Sequence, residues 1–105
     1  MLVLLLFLFM EVTVTAYSST PDQTNSEPLI TASGKRVCYG VLAVSRDLKK
    51  ILPYGSKVKL EGIGVYWIFD LMNSRYRRRV DIWFPSREQA KRFGKRKARL
   101  VWIGE

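Results

Sequence analysis

From residue 11 to residue 103 the apolar residues come in short alternating runs, broken by glycine, proline and polar clusters. A period of two places alternate side chains on opposite faces of a strand. Residues 11–18 (EVTVTAYS), 40–44 (GVLAV), 57–61 (KVKLE), 65–69 (VYWIF, running into Asp70), 80–84 (VDIWF) and 98–103 (ARLVWI) read as strands. Turn signals separate them: residues 31–35 (TASGK), 53–56 (PYGS) and the pair Gly62 and Gly64. The polar stretch 19–27 reads as a loop, and residues 46–50 have room for one helical turn. The one clear helix lies near residues 87–93. Ser86 and Gln89 have capping-box spacing, Ala90 and Phe93 give an apolar face, and Gly94 stops it. A parallel α/β sheet needs a helix between successive strands, so this pattern predicts a mainly β chain closed into a small barrel.

Composition narrows the chemistry. The chain has 105 residues, one domain by length, and a 48% apolar content sufficient for a core without metal or disulfide staples. It has no histidine, which removes Ser-His-Asp and Cys-His catalysis and every histidine-containing metal site. Acid–base work near neutral pH therefore falls to nine Asp and Glu side chains, or to a perturbed Lys, Tyr or Cys. The single cysteine, Cys38, forms no intrachain disulfide and reads as a small hydrophobe beside Tyr39 and Gly40. A net charge of +9 attracts polyanions of any kind, whether nucleic acid, acidic lipid or anionic wall polymer. The basic stretch from Lys91 to Arg99 is interleaved with too few aromatics to read as a nucleic-acid signature.

Residues 2–10 are wholly apolar and too short to span a bilayer, which takes roughly 20 residues. They match a signal-peptide h-region in length, without a preceding Lys or Arg and without an A-x-A site after it. Two readings stand: the end of a longer export signal, which the purity of the Leu/Phe run favours, or an apolar leader preceding the domain. Any membrane association is assigned to these residues, and the domain itself to residues 11–105.

Asp81 is the residue most open to a chemical role. It sits inside an apolar strand, sharing a face with Trp83 while Val80, Ile82 and Phe84 point the other way. Burial between large apolar neighbours raises a carboxyl pKa, as a general acid for glycosidic cleavage requires. The Arg75, Arg77, Arg78 and Arg79 run works in the opposite direction. A structural carboxylate, hydrogen-bonded to backbone or paired with arginine, is the competing reading. Tyr17, Tyr66, Trp67 and Trp83 offer either a sugar-stacking platform or core packing, and for Trp67 core packing is favoured.

A set of short motifs in order resembles the 3D (triple-aspartate) domain. They are Val14-Thr15-Ala16-Tyr17, Thr31-Ala32-Ser33-Gly34 and Gly40-Val41-Leu42-Ala43-Val44. Leu52-Pro53-Tyr54-Gly55-Ser56-Lys57-Val58, Glu61-Gly62-Ile63-Gly64 and Phe69-Asp70 follow, then Arg79-Val80-Asp81-Ile82-Trp83-Phe84 and Ala90-Lys91-Arg92-Phe93-Gly94. The order covers residues 12–103. The resemblance implies a six-stranded double-psi β-barrel, similar to the catalytic domain of membrane-bound lytic transglycosylase A. It implies a cell-envelope or secreted bacterial monomer that cuts peptidoglycan glycan strands between N-acetylmuramic acid and N-acetylglucosamine, without cofactor or metal, to 1,6-anhydro products. Asp81 matches the acid/base aspartate and Asp70 the supporting one. Thr15, Tyr17, Thr31, Ser33 and Gly34 would border the substrate, as would Ser45, Asn73, Arg75 and Trp83. Two departures stand out: Ser45 occupies the position of the family's first aspartate, with Asp47 two residues on, and residues 71–75 (LMNSR) replace a glycine-rich loop. Both are compatible with a second reading, a non-catalytic, expansin-like wall-binding or wall-loosening module that also accepts other anionic wall polymers.

Overall fold

The computed structural model describes residues 9–19 and 30–104. Six strands and two short helices follow one another: β1 (Phe9–Ser18), β2 (Val41–Val44), α1 (Arg46–Lys49), β3 (Lys57–Leu60), β4 (Gly64–Leu71), β5 (Arg79–Phe84), α2 (Arg87–Phe93) and β6 (Arg96–Gly104). The strands close into one mixed barrel in the order β1-β5-β2-β4-β3-β6. The β1–β5 and β2–β4 pairs are parallel, and the other four are antiparallel. This is the closed six-stranded, mainly β architecture expected, with a second short helix where one helical turn was foreseen.

Period-two alternation builds the interior. Val12 and Val14 of β1, Leu42 and Val44 of β2, and Val58 and Leu60 of β3 are buried together with Ile68, Val80, Ile82 and Leu100. Branched side chains suit such a lining, because their restricted χ1 angles lose little freedom on a pleated surface. Leu48 of α1 and Leu52 just beyond it join the same cluster. Truncating a fully buried residue such as Leu42 to alanine is expected to cost about 2–5 kcal/mol.

Helix α2 begins as its sequence dictates. The Ser86 hydroxyl accepts the Gln89 backbone N–H at 3.1 Å. The second half of the capping box differs, because the Gln89 side-chain oxygen accepts from the Ser86 hydroxyl at 3.2 Å. Gly94 ends the helix with φ at 76°, a left-handed value that suits glycine. Phe93 packs on Phe84 with ring centroids 5.8 Å apart. Strand boundaries differ from expectation by one or two residues. β1 begins at Phe9, which pairs with Val101, so the last two residues of the apolar run belong to the barrel. Residues 2–8 of that run, and residues 20–27 of the loop expected at 19–27, lie outside the described residues.

No helix among the described residues is long and apolar enough to cross a membrane. Among the same residues, no group of three or more His, Cys, Asp or Glu is arranged to hold a metal ion.

Candidate active site

The barrel has a second small cluster on its outside: Val37, Val41 and Trp83, with Tyr17 and Phe69 against them. The segment that includes Val37 therefore covers part of the outer face of β5, β2 and β4. The two aspartates lie at this covered face.

Strand register sets the row. Thr15 pairs with Asp81, Asp81 with Ala43, and Ala43 with Asp70. Paired residues project from the same face of a sheet, so the order across four strands is Thr15, Asp81, Ala43, Asp70. Only a methyl group separates the two carboxylates along the row. With strands about 4.8 Å apart, their Cα atoms are roughly 10 Å from each other.

Asp70 reaches this row because of a β-bulge. The register of β4 on β2 runs Leu42 to Ile68 and then Ala43 to Asp70, so Phe69 is the extra residue. Without it, Asp70 would follow Ile68 by two and point into the apolar interior. The bulge lets both Phe69 and Asp70 face outward, a re-aiming for which bulges are suited.

Each carboxylate has its own partners. Asp81 accepts the Thr15 hydroxyl at 2.9 Å. Burial raises its pKa from 3.8 to about 6, with the Thr15 hydrogen bond and the Arg79 charge opposing and the Asp70 charge adding to the rise. Asp70 is held more fully. Its Oδ2 accepts the Tyr17 hydroxyl at 2.7 Å, and its Oδ1 accepts the backbone N–H groups of Ala32 and Leu71 at 2.8 and 2.9 Å. Burial, followed by the Asp70 charge, pushes the Tyr17 phenol well above its usual range, so it stays a donor. Asp70 therefore pins a turn onto the barrel, and Tyr17 ties β1 to β4 across the intervening strands.

The turn is residues 31–34. The Gly34 N–H bonds the Thr31 carbonyl at 2.9 Å, and the Ser33 N–H bonds the Phe69 carbonyl at 3.2 Å. Thr31, 5% exposed, shares a hydrogen bond with the Ser33 hydroxyl at 2.9 Å and accepts the Lys35 N–H at 3.1 Å. Thr31 thus shapes the turn from beneath, while Gly34 is exposed at its corner.

Other expected site residues lie elsewhere or are already engaged. Ser45 is fully buried, and its hydroxyl accepts the Arg79 N–H at 3.1 Å, tying β2 to the start of β5. Asp47 accepts the Arg78 N–H at 2.9 Å. Arg78 is the one non-glycine among the described residues with a positive φ, 48°, a conformation that costs an L-residue roughly 1–2 kcal/mol. Asp47 and the Thr13 N–H bonded to the Arg78 carbonyl hold this kink just before β5. Asn73 accepts the Arg75 N–H at 3.0 Å, and Arg75 lies over the Tyr76 ring while bonding its hydroxyl at 2.7 Å. This basic loop is folded on itself, with Asn73 and Arg75 exposed.

The aromatic expectations are reversed. Trp83 is only 9% exposed: its indole N–H bonds the Ser19 hydroxyl at 2.6 Å, and Tyr39 meets it edge to face at 5.9 Å. Trp67, expected in the core, is 38% exposed. Cys38, read as a small hydrophobe, is exposed. For the two tryptophans the reason is shared. Residue parity along a strand sets the face, but whether a face is covered depends on residues far away in sequence.

No protein-family model matches the chain, and no curated protein is significantly similar to it.

Proposed function

We propose that this barrel cleaves peptidoglycan glycan strands as a lytic transglycosylase, with Asp81 as its acid/base and Asp70 in support. One observation carries this reading: two carboxylates share an outer row of the barrel, separated only by Ala43, and one of them is held protonatable near neutral pH. A proton on Asp81 at about pH 6 passes to the glycosidic oxygen as the bond to the muramoyl C1 breaks. The resulting carboxylate then takes the proton from the muramoyl C6 hydroxyl as that oxygen bonds C1. The product carries a 1,6-anhydro ring, no water is consumed, and Asp81 is returned to its starting form. A single residue that is acid and then base needs a pKa near the working pH. Asp70 adds to the rise in the Asp81 pKa and orders the 31–34 turn beside it. The ordered resemblance to the 3D domain supports the same assignment, and with it a place in the bacterial cell envelope.

The test is clearance of purified sacculi by the parent, Asp81→Asn and Asp70→Asn. The expected loss for Asp81→Asn is about a hundredfold to ten-thousandfold. Clearance by Asp81→Asn at the parental rate would end the proposal.

A second reading, a non-catalytic wall-binding module, is favoured by the saturation of Asp70 with this chain's own donors. It predicts saturable sedimentation with sacculi, unaltered by Asp81→Asn, and no soluble fragments.

A further inference from the structure

Beside the carboxylate row lies an open groove of about 400 Å³, lined by Lys35, Cys38, Tyr39, Val41, Trp67 and Phe69. Its floor continues the same outer face. Val41 pairs with Trp67 on the β2–β4 ladder, two residues before Ala43, and Phe69 is the bulged neighbour of Asp70. Two aromatic rings are therefore presented next to the acid pair. Trp67 is 38% exposed, and Gly40 lies against its ring, with open φ at 98° and room for a Cβ only at 3.4 Å. A Cβ at position 40 would meet the indole at contact distance, and the positive φ is what favours glycine there.

The charges nearest the groove's two rings are basic. The Lys35 ammonium sits 4.9 Å from the Phe69 ring centroid, and the Lys57 ammonium 5.3 Å from that of Trp67. None of the six lining side chains is acidic. An apolar ring surface with flexible ammonium groups over it fits a ligand with a flat C–H face and an anionic substituent.

We infer that this groove is a subsite for a pyranose ring carrying a carboxylate, seated on Trp67 and Phe69 with its acidic group at Lys35. The inference deepens the peptidoglycan reading and rests on it for the choice of ligand. A muramoyl unit bears such a carboxylate as a lactyl ether, or an amide of it where a stem peptide is attached. Glucosamine units lack it, so the groove distinguishes alternate sugars of the strand. Lys35 acts by charge and reach, and Trp67 by contact area.

The experiment uses two soluble probes that differ by the lactyl group, N-acetylmuramic acid and N-acetylglucosamine. Exposed Cys38, at the groove wall, serves as the reporter through its rate of alkylation by iodoacetamide, and the Trp67 indole N–H signal reports independently by NMR. The expected result is that N-acetylmuramic acid slows alkylation and shifts the Trp67 signal, while N-acetylglucosamine acts only at much higher concentration. Lys35→Gln, an exposed position, abolishes the difference between the two sugars. Trp67→Ala weakens binding of N-acetylmuramic acid about tenfold. Unchanged alkylation and an unmoved Trp67 signal with either sugar would overturn the subsite, as would equal binding of both sugars by the parent. Neither readout needs turnover. Loss of the subsite with sacculus cleavage intact would leave the function standing, and binding here without any cleavage would do the reverse.

Discussion

Replacing Asp81 by asparagine should abolish activity and stabilise the fold, and the stabilisation should depend on pH in a defined way. The Asp81 pKa is raised by burial from 3.8 to about 6. Between those values the folded state binds the proton and the unfolded state does not. Stability contributed by this group is therefore fully present below pH 3.8 and is lost as pH rises through about 6. The rise corresponds to about 3 kcal/mol at most, at 1.36 kcal/mol per pKa unit. Asparagine keeps the shape and an oxygen for the Thr15 hydroxyl, but never ionises. Asp81→Asn should match the parent near pH 4 and exceed it at pH 8 by up to about 3 kcal/mol. Urea denaturation of both proteins at the two pH values gives the difference, because every other titrating group cancels between them. A variant with the same stability relative to the parent at pH 4 and pH 8, or one less stable at pH 8 than at pH 4, would refute the reasoning. It would mean that Asp81 is a charged structural carboxylate, paired rather than merely buried.

Three further perturbations probe the surroundings. Thr15→Val removes a hydrogen bond that lowers the Asp81 pKa, so the alkaline limb of the pH–clearance profile should move to higher pH; a limb that stays put or moves down contradicts the assigned role. Tyr17→Phe removes one donor to Asp70 and should cost about 1–3 kcal/mol, with faster hydrogen exchange at the Ala32 amide; unchanged exchange there would show that the turn is held by other contacts. Gly40→Ala places a Cβ 3.4 Å from the Trp67 ring at a φ of 98°, and should destabilise by at least about 1 kcal/mol in urea; a neutral result would show that backbone and indole both adjust.

The barrel was legible because its signals are local. Alternation in residues 11–18, 57–61 and 80–84 fixes which side chains enter the core, and the Ser86 to Gln89 cap with Gly94 fixes α2. The face shared by Asp81 and Trp83 was legible for the same reason. The bulge at Phe69 was not, since nothing in VYWIFD marks one residue as extra, and so the outward aim of Asp70 follows only from its pairing with Ala43. The Arg78 kink carries no glycine or asparagine to announce it. The exchange of roles between Trp67 and Trp83 depends on Tyr39 and Val37 folding over one part of the outer face and leaving another open. Ser45 stands where the resemblance to the 3D domain would place an aspartate, but its burial and its bond to the Arg79 amide come from the β2–β5 contact, which one sequence does not display.

The chemistry is tested most directly by the identity of the products. Purified sacculi digested with the parent and with Asp81→Asn, followed by mass spectrometry of the soluble fraction, should give muropeptides ending in 1,6-anhydro rings from the parent alone. Muropeptides one water heavier, with reducing ends, would contradict the account, because a second group would then have to activate water. Anhydro products from Asp81→Asn at the parental level would contradict it too, by removing Asp81 from the reaction.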